Sequence, residues 1–243
     1  MKWRTSISVH KGDELYIRGR RLTEVIETFS FTEAIFFLIK GTFPSGKETR
    51  MLDAMLCAMV EHGIAAPSTF VARTAISVGN TFNSALAAGI LAIGEHHGGA
   101  IEKCAYYLSL DKSAENIVDE VLNKGEKLPG FGHKVYKNKD PRAEILFTKA
   151  KALGFSGTFV ARALALEKEL KRKTNKFLPI NIDGAAAALI LELGFDWRLG
   201  KAFFVLGRLP GLIAHAHEEL IREKPYKRLE ENDIEYDGPK LKT

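Results

Sequence analysis

Cysteine is scarce: the 243 residues hold two, with eight prolines and two tryptophans. Cys57 and Cys104 lie far apart, each inside a helix-like stretch, which excludes a disulfide scaffold and a cysteine-built zinc site. A long apolar run is missing too. The least polar stretch, residues 70–94, carries Arg73, Asn80, Asn83 and several hydroxyl side chains, which a membrane span tolerates poorly. Residues 1–5 open no apolar core of signal-peptide length, so the expectation is a soluble cytoplasmic protein with no membrane partner. Charge of one sign is also lacking: 35 Lys and Arg against 30 Asp and Glu leave a net +5, too little to imply nucleic acid. At 46% hydrophobic residues, a disordered tail and a collagen-like fibre are excluded. The length suits one large core, or a core with a small lobe.

What charge there is gathers in one place. Residues 121–180 hold 14 Lys and Arg against 5 Asp and Glu. Within that window Lys171-Arg172-Lys173 and Lys176 precede an apolar turn that ends at Asp183. They read either as the solvated basic end of a helix or as an anion site for a polyphosphate ligand. No exposed aromatics interleave with the basic run, which argues against nucleic acid.

Alternation of Ile7, Val9, Leu15 and Ile17 around Lys11-Gly12-Asp13 predicts a hairpin over residues 6–17. After it the periodicity is helical almost throughout. Helices are expected from Thr32 to Gly41 and over 48–62, 81–94, 114–123, 143–153, 158–173, 183–193 and 201–223, then an extended polar tail. Met51, Met55 and Met59 fall on one face of the second helix and read as core filler rather than a cofactor box. The Ala-rich helices at 81–94 and 183–193 suit close helix packing, in a core or at a subunit interface. The class is all-α.

Three segments carry residues that packing does not require. Glu95-His96-His97-Gly98-Gly99-Ala100 joins paired histidines to glycines that let backbone approach a ligand; a capped turn with a surface histidine explains it as well. Pro129-Gly130-Phe131-Gly132-His133 is a tight loop, and Arg142, after Asp140-Pro141, can start a helix with its guanidinium turned back toward it, suited to a carboxylate. Asn181-Ile182-Asp183-Gly184 sends an Asp into an apolar helix. That Asp reads either as an N-cap or as a proton-transfer group raised in pKa by its surroundings. His215 and His217 form a His-x-His pair with no third metal ligand in evidence.

In order, these segments resemble the citrate synthase superfamily. Thr5-Ser6-Ile7-Ser8 leading to Tyr16-Ile17-Arg18-Gly19 is similar to its opening hairpin. Glu61-His62, Pro67-Ser68-Thr69-Phe70 and Arg73 resemble its His-Glu…Ser-Thr-Phe…Arg segment. His97-Gly98-Gly99-Ala100 matches His-Gly-Gly-Ala. The loop ending in His133, with Val135-Tyr136-Lys137 and Asp140-Pro141-Arg142-Ala143, follows the longest signature. Asn181-Ile182-Asp183 and Gly207-Arg208 with Gly211-Leu212-Ile213-Ala214-His215 complete the set. The chain is shorter than citrate synthases, abbreviated between Gly41 and His62 and between Asp140 and Asp183. In this it resembles citryl-CoA lyase and the lyase module of ATP-citrate lyase; unlike that module it has a histidine, His97, at the first catalytic position.

The resemblance implies a citrate-synthase-like multi-helical fold with a short N-terminal hairpin. A large helical domain, 1–140 with 184–243, would carry a dimer interface, and a reduced small domain, 141–183, would contribute to CoA and substrate binding. It implies cleavage of citryl-CoA to acetyl-CoA and oxaloacetate. The alternatives are a compact citrate or 2-methylcitrate synthase and, from another class, a non-catalytic CoA-binding subunit. By the same resemblance His97, His133 and Asp183 are catalytic, and His62, Arg142, Arg208 and Arg228 hold substrate carboxylates, Arg228 from a partner subunit. CoA is expected as part of substrate and product, with no tightly bound cofactor and no metal. Its adenine is assigned to Leu128, Pro129, Gly130, Phe131 and Gly132, its phosphates to Lys171, Lys173 and Lys176, and Asn181 is assigned to CoA binding with them. A homodimer or a dimer of dimers is implied.

Overall fold

The turn at Lys11-Gly12-Asp13 forms as its residues dictate. Strand β1 (Ser8–Lys11) pairs antiparallel with β2 (Glu14–Ile17), placing Val9 opposite Tyr16. A third strand not read from the sequence, β3 (Arg20–Arg21), extends the sheet. The structure is a computed structural model and describes residues 2–133, 136 and 138–239. Beyond the small sheet the fold is all-α.

Eleven α-helices occur among the described residues. They are α1 (Leu22–Thr28), α2 (Phe31–Lys40), α3 (Gly46–Ala58), α4 (Pro67–Ser77), α5 (Phe82–Leu91), α6 (Ala100–Ser109), α7 (Ala114–Asn123), α8 (Pro141–Leu153), α9 (Thr158–Thr174), α10 (Ile182–Glu192) and α11 (Gly200–Arg222). Helices α2 and α3 both start with a reciprocal capping box, Ser30 with Glu33 and Ser45 with Glu48, which satisfies two otherwise unpaired N–H groups at each start. Helix α2 ends at Gly41 as expected, whereas α3 stops at Ala58, short of His62. The tail is extended apart from a 3-10 turn at Glu231–Asp233.

Two compact units account for the chain: residues 1–60 with 98–207, and residues 61–97 with 208–243. In the first, α10 is the central element and packs on α6, α8, α9 and α3. Every residue of α10 from Gly184 to Leu191 is buried. Its small Ala side chains permit close approach, while Leu189 and Ile190 each contribute about 1.5–3 kcal/mol of apolar burial. Met51, Leu52 and Met55 of α3 are fully buried, so the methionines are core filler. The segment 141–183, expected as a reduced small domain, lies within this unit. In the second unit α4 and α5 lie side by side, and Ile76 and Ala85 form a core with Ala216 of α11. Among the described residues no helix is long and apolar enough to cross a membrane.

Candidate active site

In the first unit, backbone hydrogen bonds stitch the Pro129–His133 loop to the chain entering α10. Gly132 N–H donates to Pro179 C=O (2.7 Å), Asn181 N–H donates to Gly130 C=O (3.0 Å), and Phe131 bridges Ile180. Asn181 is the N-cap of α10: its Oδ1 accepts the N–H groups of Asp183 (3.0 Å) and Gly184 (3.1 Å). Its Nδ2 donates to Gly132 C=O (2.8 Å). The cap expected at Asp183 is therefore two residues earlier, and Asp183 stands in the first turn, where the helix dipole favours a carboxylate. The Asn181 side chain is committed to positioning this turn and the loop. Gly130 has φ +87°, and a Cβ there would lie 2.7 Å from Cys104 Sγ and 2.8 Å from Gly184 Cα. Only glycine allows both that dihedral and that approach. Burial, then the nearby charge of Asp183, pushes the Cys104 thiol up and keeps it neutral.

His133 stacks on Tyr136, ring centres 4.8 Å apart, and its Nδ1 accepts the Tyr136 N–H (3.1 Å). An accepting Nδ1 leaves the ring proton on Nε2. Lys134, Val135 and Lys137 of the same signature lie outside the described residues. Arg142 does turn back on this loop, its guanidinium 5.8 Å from the centre of the Tyr136 ring. It pairs bidentately with Asp140, Nε to Oδ1 at 3.0 Å and Nη2 to Oδ2 at 2.8 Å. Asp140 is 1% exposed and also accepts the N–H of Ile182 (3.0 Å), so one carboxylate orients both Arg142 and the start of α10. Burial opposes the charge on each partner, yet pairing prevails: the Asp140 carboxyl is held low and the Arg142 guanidinium high.

The basic run at the end of α9 resolves residue by residue. Lys173 is held by Asp119 (2.8 Å) and Glu115 (3.2 Å), and Arg172 by Glu169 and Glu115. These contacts serve the packing of α7 on α9. Lys171 lies over the Phe177 ring (5.6 Å), and it and Lys176 are exposed. Leu128 and Gly130 are buried, while Pro129, Phe131 and Gly132 are half-buried.

In the second unit, Ser68 Oγ lies 2.8 Å from His97 Nε2. Burial lowers the pKa of His97, and the charges of Arg208 and His62 lower it further, so three of the expected site residues share one electrostatic neighbourhood. Arg208 is buried. Glu61 accepts the N–H groups of His62 (2.7 Å) and Gly63 and pairs with His215 Nε2 (3.2 Å). Burial opposes its charge, but these partners hold its carboxyl low. His215 is half-buried against Arg73 and Glu61, whereas His217 is exposed. Among the described residues no group of three His, Cys, Asp or Glu could hold a metal ion. Arg228 is exposed, in the tail.

Sequence reasoning gave no separate role to Asp140, Ser68 or Glu61, which appeared only inside longer motifs. Asp140 did carry a local signal, an Asp before Pro-Arg at a helix start; the partner of Ser68 lies 29 residues away and leaves no local trace.

Residues 44–230 match the family model for the citrate synthase C-terminal domain. The chain is 30% identical over 227 residues to citrate synthase 2 of Bacillus subtilis (strain 168), an alignment covering 91% of this chain and 60% of that protein. It is 32% identical over 222 residues to putative citrate synthase 2 of Mycobacterium tuberculosis (strain ATCC 25618 / H37Rv), covering 88% and 58%. The chain thus spans about 60% of the length of the curated relatives it matches. The solved structure of citryl-CoA lyase from Hydrogenobacter thermophilus is similar with a TM-score of 0.94 and 45% identity, covering 99% of this chain and 96% of that one. ATP citrate lyase from Methanothrix soehngenii, solved with citrate and coenzyme A, has a TM-score of 0.86 and 27% identity over 99% of this chain and 42% of that one.

Proposed function

The chain belongs to the citrate synthase family, and on that premise we propose that it is a citryl-CoA lyase, splitting citryl-CoA into acetyl-CoA and oxaloacetate. The observation that carries the reading is its similarity to citryl-CoA lyase along nearly the whole of both chains.

Cleavage breaks the bond between the carbinol carbon and the thioester-bearing methylene. The hydroxyl proton leaves as the ketone forms, the bonding electrons pass into an enolate, and the methylene carbon takes up a proton. His97 is assigned to the thioester oxygen. Its lowered pKa keeps the imidazole neutral near pH 7, and the donor role puts the proton on Nδ1, with Ser68 donating to Nε2. A donor placed before the charge develops stabilises it without reorganisation. Asp183, as the carboxylic acid, returns a proton to the methylene carbon. His133 is assigned to the hydroxyl oxygen. With Tyr136 N–H on Nδ1, its Nε2–H is in the form that donates to the ketone of the product. Accepting the hydroxyl proton uses the other tautomer, so the cleavage stroke has to release that contact. The proton gained by His133 and the one lost by Asp183 balance through solvent.

His62, Arg142, Arg208 and, from a second copy of the chain, Arg228 are assigned to the carboxylates. The Asp140 pair pre-orients Arg142 and lowers the entropy lost on binding. Residues 128–132 and the exposed Lys171 and Lys176 are assigned to CoA, with 141–183 contributing to CoA and substrate binding. A homodimer is part of the reading.

The matched citrate synthases favour one alternative, condensation of an acyl-CoA with oxaloacetate followed by thioester hydrolysis. Free thiol formed from acetyl-CoA and oxaloacetate, with citrate as product, would establish it; the lyase reading expects little thiol. A non-catalytic CoA-binding protein is separated by Asp183→Asn. The variant is expected to bind CoA like the parent and to lose about 10²–10⁴ in cleavage rate, whereas no turnover by the parent would overturn the enzyme reading.

A further inference from the structure

The chain just before Arg228 is held more firmly than an idle tail needs. Tyr226 has φ +71°, a left-handed conformation that costs a bulky residue and persists only where its surroundings impose it. Its N–H donates to Ser77 C=O (2.8 Å) at the end of α4. Lys227 N–H donates to Ser77 Oγ (3.2 Å), and that hydroxyl in turn donates to Thr74 C=O (2.8 Å). Lys227 Nζ reaches down to Glu219 Oε2 of α11 (2.8 Å). The Glu219 side chain is 1% exposed, and the same oxygen accepts Arg73 Nε at 2.6 Å. A buried carboxylate is thus shared by two cations, one from the body of the unit and one from the tail. The next residue, Arg228, is exposed.

We propose that Ser77, Glu219 and Lys227 form a clamp that fixes the tail at residues 226–227 and so aims Arg228. The three are positioning residues for the carboxylate end of the substrate, acting through Arg228. This rests on the reading above, in which Arg228 is a carboxylate ligand offered to a second copy of the chain. Chain direction at residue 228 is set by the residue before it. Two backbone bonds and one ion pair at 226–227 leave the Arg228 side chain a small cone to search, and a ligand held that way loses less entropy on binding. Lys227 is the informative position. Its removal leaves Glu219 paired with Arg73, so no buried charge is stranded and the fold survives.

The test measures oxaloacetate affinity by calorimetry, and KM and kcat for citryl-CoA, in the full-length protein and its Arg228→Ala, Lys227→Met and Lys227→Arg variants. Amide hydrogen exchange over residues 224–232 is followed alongside. Arg228→Ala is expected to weaken oxaloacetate and raise KM by about tenfold, the loss of one charge-assisted hydrogen bond. Lys227→Met is expected to reproduce about a third or more of that effect with kcat within about twofold, to speed exchange at 226–228, and to leave Tm nearly unmoved. Lys227→Arg is expected to restore affinity and exchange. An Arg228→Ala variant that binds oxaloacetate like the parent overturns the role of Arg228 itself. An impaired Arg228→Ala beside a parent-like Lys227→Met overturns the clamp. So does a Lys227→Met variant that loses kcat and Tm along with its rise in KM, because that is general destabilisation.

Discussion

His97 is lowered in pKa by burial first, then by Arg208 and His62, and this has consequences for both chemistry and stability. A neutral ring can donate to a developing enolate, while a protonated one would also be attracted to the substrate carboxylates. The stability effect has a definite sign. Unfolded, a histidine titrates near about 6.5; folded, His97 refuses that proton until lower pH. From about 6.5 downward through the lowered pKa the unfolded chain therefore binds more protons, and stability is lost as pH falls. Above that window the contribution is complete. The paired carboxylates held low, Asp140 and Glu61 among them, act further down, below about 4.3. Tm is expected to fall as pH drops below about 6.5, and a His97→Gln variant to flatten that slope. Parallel curves for parent and variant would contradict the assignment.

At the scale of elements, the start of α10 does most of the organising. Asn181 closes the helix and ties it to Gly132, while Asp140 ties it to Arg142. Asn181→Ala removes the cap and leaves Gly132 C=O without its donor. It is expected to cost about 0.5–2 kcal/mol from the cap alone and to reduce turnover, because Asp183 and the His133 loop lose their common anchor. Thermal unfolding with steady-state kinetics checks this; unchanged turnover at lowered Tm would show the stitch to be purely structural. Much of this element structure is legible in the chain. Helices α2, α7, α8, α9 and α10 fall within two residues of expectation because periodicity, Ser caps and Gly41 mark them. The sequence pattern sets no separate bounds for helices α1, α4 and α6. Arg21, Ala66 and Gly99 precede them and provide no side-chain cap, so the capping signal is missing, and only Pro67 at the first position of α4 marks a start. The expected helix over 48–62 runs past the end of α3 at Ala58 because Met59 continues the apolar face beyond the last helical turn.

For the whole molecule, the family is legible through motifs, and the partnerships around the candidate site residues are not. His97 with Ser68, and Glu219 with Arg73 and Lys227, join residues distant in sequence, and no local pattern encodes such pairs. Lys173 shows the reverse: its place in a basic run suggested an anion site, and tertiary packing paired it with α7 carboxylates. The second unit also leaves large apolar side chains in solvent, Phe70, Ile213, Leu220 and, at 84% exposure, Leu91. Exposed apolar area of this kind suits a subunit interface. Light scattering at micromolar concentration is expected to give a dimer or a multiple of one, and Leu91→Glu to shift it toward monomer. A monomeric parent would remove Arg228 from any neighbouring site.

The most direct measurement supplies citryl-CoA to the purified protein and follows oxaloacetate through malate dehydrogenase and NADH. The account expects rapid NADH oxidation with an equivalent yield of acetyl-CoA and almost no free thiol. NADH left unoxidised while citryl-CoA is hydrolysed to citrate and free CoA would contradict it.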